Sequence, residues 1–117
     1  KGPPPIFASI GVRHPNQIPL DIALRDQETL QDLFDLVEQE IEHFDAGNTI
    51  IAVAQIPKVS QDQSVELFRE NRAWQGLQRR MHSSVARLEP RGLSMLAYAL
   101  ARIRDFEDPV LLKAVLD

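Results

Sequence analysis

Gly92-Leu-Ser-Met-Leu-Ala-Tyr-Ala-Leu-Ala-Arg-Ile-Arg-Asp-Phe-Glu-Asp-Pro-Val-Leu-Leu-Lys-Ala-Val-Leu-Asp117 reads as an alanine-rich helix, a short acidic turn and the start of a second helix. Leu93, Leu96, Leu100 and Ile103 recur at spacings of three and four, which places them on one helical face. Ala97, Ala99 and Ala101 are small enough for a neighbouring helix to approach closely. Pro90 and Pro109 suit first helical turns, where a missing N–H costs nothing.

A weaker echo of this stretch lies 45 residues upstream, where Gly47, Ala52, Ala54, Val65 and Leu67 fall opposite Gly92, Ala97, Ala99, Val110 and Leu112. Asp62-Gln-Ser-Val65 aligns with Glu107-Asp-Pro-Val110 at the same offset, so a unit of helix, acidic turn and helix is expected twice. The fold expected is mostly α: stacked antiparallel helix pairs, like those of an α-solenoid, over residues 21–117. The incomplete pair at Asp117 is expected to continue in further repeats.

Residues 1–20 hold five of the eight prolines, Pro3, Pro4, Pro5, Pro15 and Pro19. Proline fixes φ, removes a donor and biases the preceding residue toward extended backbone, so an extended N-terminal arm is expected there. From Glu28 the residues Leu30, Leu33, Phe34, Val37, Ile41 and Phe44 follow a helical period, with Asp32, Asp35, Glu38 and Glu42 on other faces. Gly47-Asn48 marks the stop of that helix or the turn after it. The run Thr49-Ile-Ile-Ala-Val-Ala-Gln-Ile56 before Pro57 also fits a buried strand; paired with residues 6–12 it would make a small α/β domain instead. Asp62 or Ser64 is placed to cap a helix through Leu67 and Phe68. Trp74, Leu77, Met81, Val85 and Leu88 form a further helical set, and Glu70 would fall on its apolar side, so a break is expected near Asn71.

The motif Leu93-Ser-Met-Leu-Ala-Tyr-Ala-Leu-Ala-Arg-Ile103 followed by Asp108-Pro-Val-Leu-Leu-Lys-Ala114 resembles the helical repeats of organellar RNA-binding proteins. These are the octotricopeptide and heptatricopeptide repeats and the leucine-rich helical region of FAST-kinase-like proteins. The resemblance covers about residues 90–117. It implies RNA binding in a mitochondrion, or alternatively a plastid, on a transcript or on the rRNA of an organellar ribosome alongside neighbouring protein subunits. A first residue of Lys1 rather than Met fits a removed transit peptide, and equally a trimmed chain or a piece of a longer one.

The net charge of −4 conceals an asymmetry. Residues 1–60 carry four basic and nine acidic side chains, whereas residues 69–104 carry eight arginines against Glu70 and Glu89. At 100° per residue Arg72, Arg79, Arg80 and Arg87 cluster opposite the Trp74, Leu77 and Met81 face. A guanidinium is a planar fork that grips phosphate bidentately, so these four are the candidate RNA contacts, with Arg91, Arg102 and Arg104 as extensions of the patch. The competing expectation is a solvated face whose arginines pair with the acidic helix at Glu28 to Phe44. Trp74 and Tyr98 are expected in the core, which leaves few aromatic rings for bases.

Zero cysteines remove disulfides, thiol nucleophiles and the common structural zinc sites. His14, His43 and His82 have no partner at helical ligand spacing, so no metal and no cofactor is expected. There is no glycine-rich phosphate loop, Gly-x-Ser-x-Gly elbow or His-Glu-x-x-His, hence no catalytic residue to name. No run of 18 apolar residues offers a membrane span. The function expected is positioning: a non-catalytic ribonucleoprotein subunit, or alternatively a protein–protein scaffold without RNA contact.

Overall fold

Thr29 opens the acidic helix by accepting a hydrogen bond from the Asp32 amide on its hydroxyl, at 3.0 Å, and Asn71 opens the arginine-bearing helix by accepting from Ala73 and Trp74. Each side chain satisfies backbone donors that a helix start leaves without intrahelical partners. The computed structural model describes residues 17–60, 64–104 and 106–116, and these hold six helices. They are α1 (Gln17–Arg25), α2 (Leu30–Glu40), α3 (Ala46–Ser60), α4 (Arg72–Ser84), α5 (Pro90–Ala101) and α6 (Pro109–Leu116). Short 3-10 turns follow α2 (Ile41–His43), precede α4 (Val65–Leu67) and extend α4 (Val85–Arg87).

The packing alternates along the chain. Helix α3 lies between α1 and α5, and α2 lies beside α4, so the odd-numbered helices stack on one another and the even-numbered α2 and α4 form a second layer, while α6 packs on α5 and on the 3-10 turn Val85–Arg87. Within pairs, α3 meets α4 and α5 meets α6. This is the stacked arrangement of helix pairs that the C-terminal stretch predicts. Among the described residues there is no sheet; one isolated parallel bridge joins Ser64 to Arg104, with the Val65 amide donating to the Arg104 carbonyl at 2.9 Å. That bridge ties the connector leaving α3 to the connector leaving α5.

Helix α3 shows why the run from Thr49 to Ile56 resembles a strand. Ten of its residues, from Gly47 to Pro57, are buried because α3 is flanked by four other helices. A helix buried on every side has no polar face and so no 3.6-residue period. The strand alternative over 49–56 is therefore overturned, and residues 6–12, its proposed partner, lie outside the described residues. Pro57 does not end the helix, which continues to Ser60. Gly47 and Asn48 belong to the first turn of α3 rather than to a stop.

Asn48 fixes that first turn. Its side-chain oxygen accepts from the Asp45 amide while the Asp45 carboxylate accepts from the Asn48 amide, a reciprocal cap. The Asn48 side-chain Nδ2 also donates to Asp21 Oδ1 at 2.6 Å and to the Gln17 carbonyl at 3.1 Å, which seats α1 on α3. Asp21 and Asn48 are both fully buried, and buried polar groups persist only when they are hydrogen-bonded. Gln17 reaches onward, donating to the His43 carbonyl. These bonds correct the boundary of the arm: residues 17–20 form the first turn of α1, and Pro19 sits where a helix start needs no donor. The rest of the expected arm lies outside the described residues.

The expected break near Asn71 is present, and the segment before it is a 3-10 turn capped by Ser64 instead of a full helix. It delivers Phe68 into a line of edge-to-face rings. Phe34 of α2 and Phe68 have centroids 5.4 Å apart, Phe68 and Trp74 5.2 Å, and Trp74 and Phe106 5.9 Å. Edge-to-face contact sets the positive ring edge on a negative face, and so binds both connectors to the even-numbered layer. The echo at 45 residues is matched in space for its first helix only: Gly47, Ala52 and Ala54 of α3 correspond to Gly92, Ala97 and Ala99 of α5, the helix packed against it. Val65 and Leu67 lie in a 3-10 turn, whereas Val110 and Leu112 are helical.

Candidate nucleic-acid interface

The face of α4 that buries Ala73, Trp74, Leu77 and Met81 leaves Arg72, Arg79 and Arg80 on the side turned toward α2. Together the two helices form an open groove of about 720 Å³ between Glu38, Ile41 and Glu42 on one wall and Arg72, Gly76, Arg79 and Arg80 on the other. Three of the seven arginines singled out in the sequence are thus brought to one place.

Their surroundings differ. Arg72 Nε stands 3.6 Å from Glu38 Oε2, with the arginine side chain 87% exposed and the glutamate 53%. A pair so exposed, with so long a separation, holds little energy and leaves the guanidinium available. Arg80 is half-buried and donates to the Phe44 carbonyl at 3.3 Å, which anchors the plane of its fork against the end of the 3-10 turn. Arg79 is exposed. The groove sets three guanidinium groups against two carboxylates, so it is positive on balance but not uniformly so. The sequence places acid in one half and base in the other; folding puts α2 beside α4 and mixes them.

Gly76 forms part of the floor. A methyl group there would meet Ile41 Cγ1 at 3.4 Å and an Arg79 terminal nitrogen at 3.8 Å, which are ordinary contacts. Alanine has the better helix propensity and restricts the unfolded chain. Gly76→Ala is therefore expected to raise the unfolding free energy by about 0.5–1 kcal/mol, read as a higher midpoint in urea; a lowered midpoint would mean that the floor cannot accept a methyl.

The remaining arginines are placed elsewhere. Arg87 ends the 3-10 extension of α4, and Arg91 stands exposed in the first turn of α5. Arg104 belongs to the connector bridged to Ser64. Arg102 closes α5 and lies over the Tyr98 ring, 5.5 Å from its centroid, with a guanidinium N–H donating to the Tyr98 hydroxyl at 3.0 Å. It borders a second, smaller groove between α3 and α5, together with Lys58. Trp74 is in the core as expected, but Tyr98 is not: it is 66% exposed. The signal was present in the sequence, because Tyr98 is two residues from both Leu96 and Leu100 and so lies across the helix from them.

His82 Nε2 lies 2.8 Å from Asp108 Oδ2, and Asp108 Oδ1 accepts from the Leu111 amide, so this pair ties α4 to the start of α6. His43 contributes a backbone carbonyl to Gln17, and His14 is outside the described residues. Among the described residues no three histidine, aspartate or glutamate side chains converge as a metal site, and no helix is long and apolar enough to cross a membrane.

Comparison with protein-family models, curated proteins and solved structures finds no match to this chain.

Proposed function

We propose that this chain is a non-catalytic helical-repeat subunit of an organellar ribonucleoprotein, associated with the ribosome of a mitochondrion or, alternatively, a plastid. Arg72, Arg79 and Arg80 contact RNA phosphates in the α2–α4 groove. The observation that carries this reading is the convergence of three guanidinium groups on one open groove outside the core. The helical repeat of the C-terminal stretch and its resemblance to organellar RNA-binding repeats support the setting. Its mechanism is positioning: backbone contacts fix the register of the RNA without reading its sequence.

Phosphate contacts release counterions, so affinity falls with salt at about 0.7 logarithmic units per contact for a single strand. Titration of a labelled single-stranded RNA at several salt concentrations is expected to give a slope to which the three contacts of this groove contribute about −2. Binding that ignores salt would contradict the phosphate reading.

Glu38 and Glu42 favour a second reading. Carboxylates in the same groove repel phosphate, and they suit a partner protein that presents both signs of charge. In that case the chain is a scaffold subunit, and the same titration shows no RNA binding.

A further inference from the structure

Ala54 and Ala99 face the space between α3 and α5, and their small side chains leave a groove of about 320 Å³ rather than a filled contact. Met95 contributes to its apolar floor, and Tyr98, Lys58 and Arg102 stand at its edges. Among the described residues no aspartate or glutamate lines it, in contrast to the α2–α4 groove. Its volume is at the lower end of the roughly 300–1,000 Å³ typical of small-ligand sites.

We propose that this α3–α5 groove is a nucleotide subsite for single-stranded RNA, with a base stacked on the Tyr98–Arg102 platform and its phosphate held between Lys58 and Arg102. This rests on the RNA reading of the function and adds a contact in the other helical layer. Three observations carry it. An aromatic ring 66% exposed is available to solvent where a core role would bury it. The Arg102 guanidinium, over the ring and bonded to its hydroxyl, is held by both contacts, so ring and guanidinium form a joined platform one helical turn long. Lys58, exposed in the last turn of α3, brings a second cation to the same groove. A nucleotide presents both a π-face and an anion, and so uses the ring and the cations together; an acidic peptide side chain uses the cations alone.

The chain has a single tyrosine, which makes the test specific. Oligouridine carrying 5-iodouridine is bound to the full chain, irradiated, and the adducts are located by mass spectrometry; affinities are measured for wild type, Tyr98→Ala, Tyr98→Phe and Lys58→Ala. The expected results are an adduct on Tyr98, an affinity loss of about 10-fold in Tyr98→Ala with an unchanged salt slope, near-retention in Tyr98→Phe, and a slope reduced by about 0.7 in Lys58→Ala. Because Tyr98 is on the surface, far-UV circular dichroism is expected to match wild type. Salt-dependent RNA binding by wild type with Tyr98→Ala equally tight and no Tyr98 adduct overturns the subsite and leaves the arginine groove standing. Absence of RNA binding by wild type overturns both.

Discussion

Replacing Trp74 by alanine is expected to lower the unfolding free energy by about 3–5 kcal/mol, the largest effect of any single substitution considered. Trp74 is 1% exposed and lies between Phe68 and Phe106 in the line of edge-to-face rings. Its removal leaves a cavity and breaks two aromatic contacts, each worth about 0.5–1.5 kcal/mol beyond area burial. The connectors before α4 and after α5 lose their common anchor at once. Small domains have about 5–15 kcal/mol in all, so the loss is a substantial share of the total. Because Trp74 is the only tryptophan, urea unfolding is best followed by far-UV circular dichroism. A loss below about 1 kcal/mol would mean that the ring line is not a structural anchor.

The double replacement Arg79→Ala and Arg80→Ala is expected to leave the fold intact and to weaken RNA binding on the order of 10- to 100-fold at low salt. Arg79 is exposed, and Arg80 contributes one hydrogen bond to the Phe44 carbonyl, a net cost of about 0.5–1.5 kcal/mol. Stability is therefore mostly preserved while two of the three phosphate contacts proposed for this groove are removed. The salt slope is expected to become shallower by about 1.4, the share of two contacts. An unchanged slope with reduced affinity would place the arginines outside the phosphate track.

Much of the architecture is legible in the sequence because amphipathic helices announce themselves. The Leu30, Leu33, Phe34, Val37 set and the Trp74, Leu77, Met81 set each bury one face, and the caps at Thr29 and Asn71 stand one residue before their helices. What periodicity misses is α3. Surrounded by α1, α2, α4 and α5, it is apolar on all sides, and an apolar run without a polar face reads as readily as a buried strand. The start of α1 was masked by Pro15 and Pro19, since proline signals both extended chain and a first helical turn.

The candidate site was legible in part. Helical phase correctly sets Arg72, Arg79 and Arg80 opposite the core of α4, because that geometry is local. The carboxylates facing them are not local: Glu38 and Glu42 reach the groove only through the packing of α2 on α4, which no spacing in the sequence encodes. The same holds for Lys58, which is 44 positions from Arg102 yet shares a groove with it. Tyr98 was readable from its position relative to Leu96 and Leu100, and the general tendency of rings to be buried concealed it.

Crosslinking of the protein within its native assembly, with mass spectrometry to separate peptides joined to RNA from peptides joined to protein, tests the central claim most directly. RNA adducts on residues 72–84 are predicted, since these carry Arg72, Arg79 and Arg80. Protein crosslinks throughout, with 72–84 free of RNA, would contradict it and leave a scaffold subunit held by mixed-charge contacts.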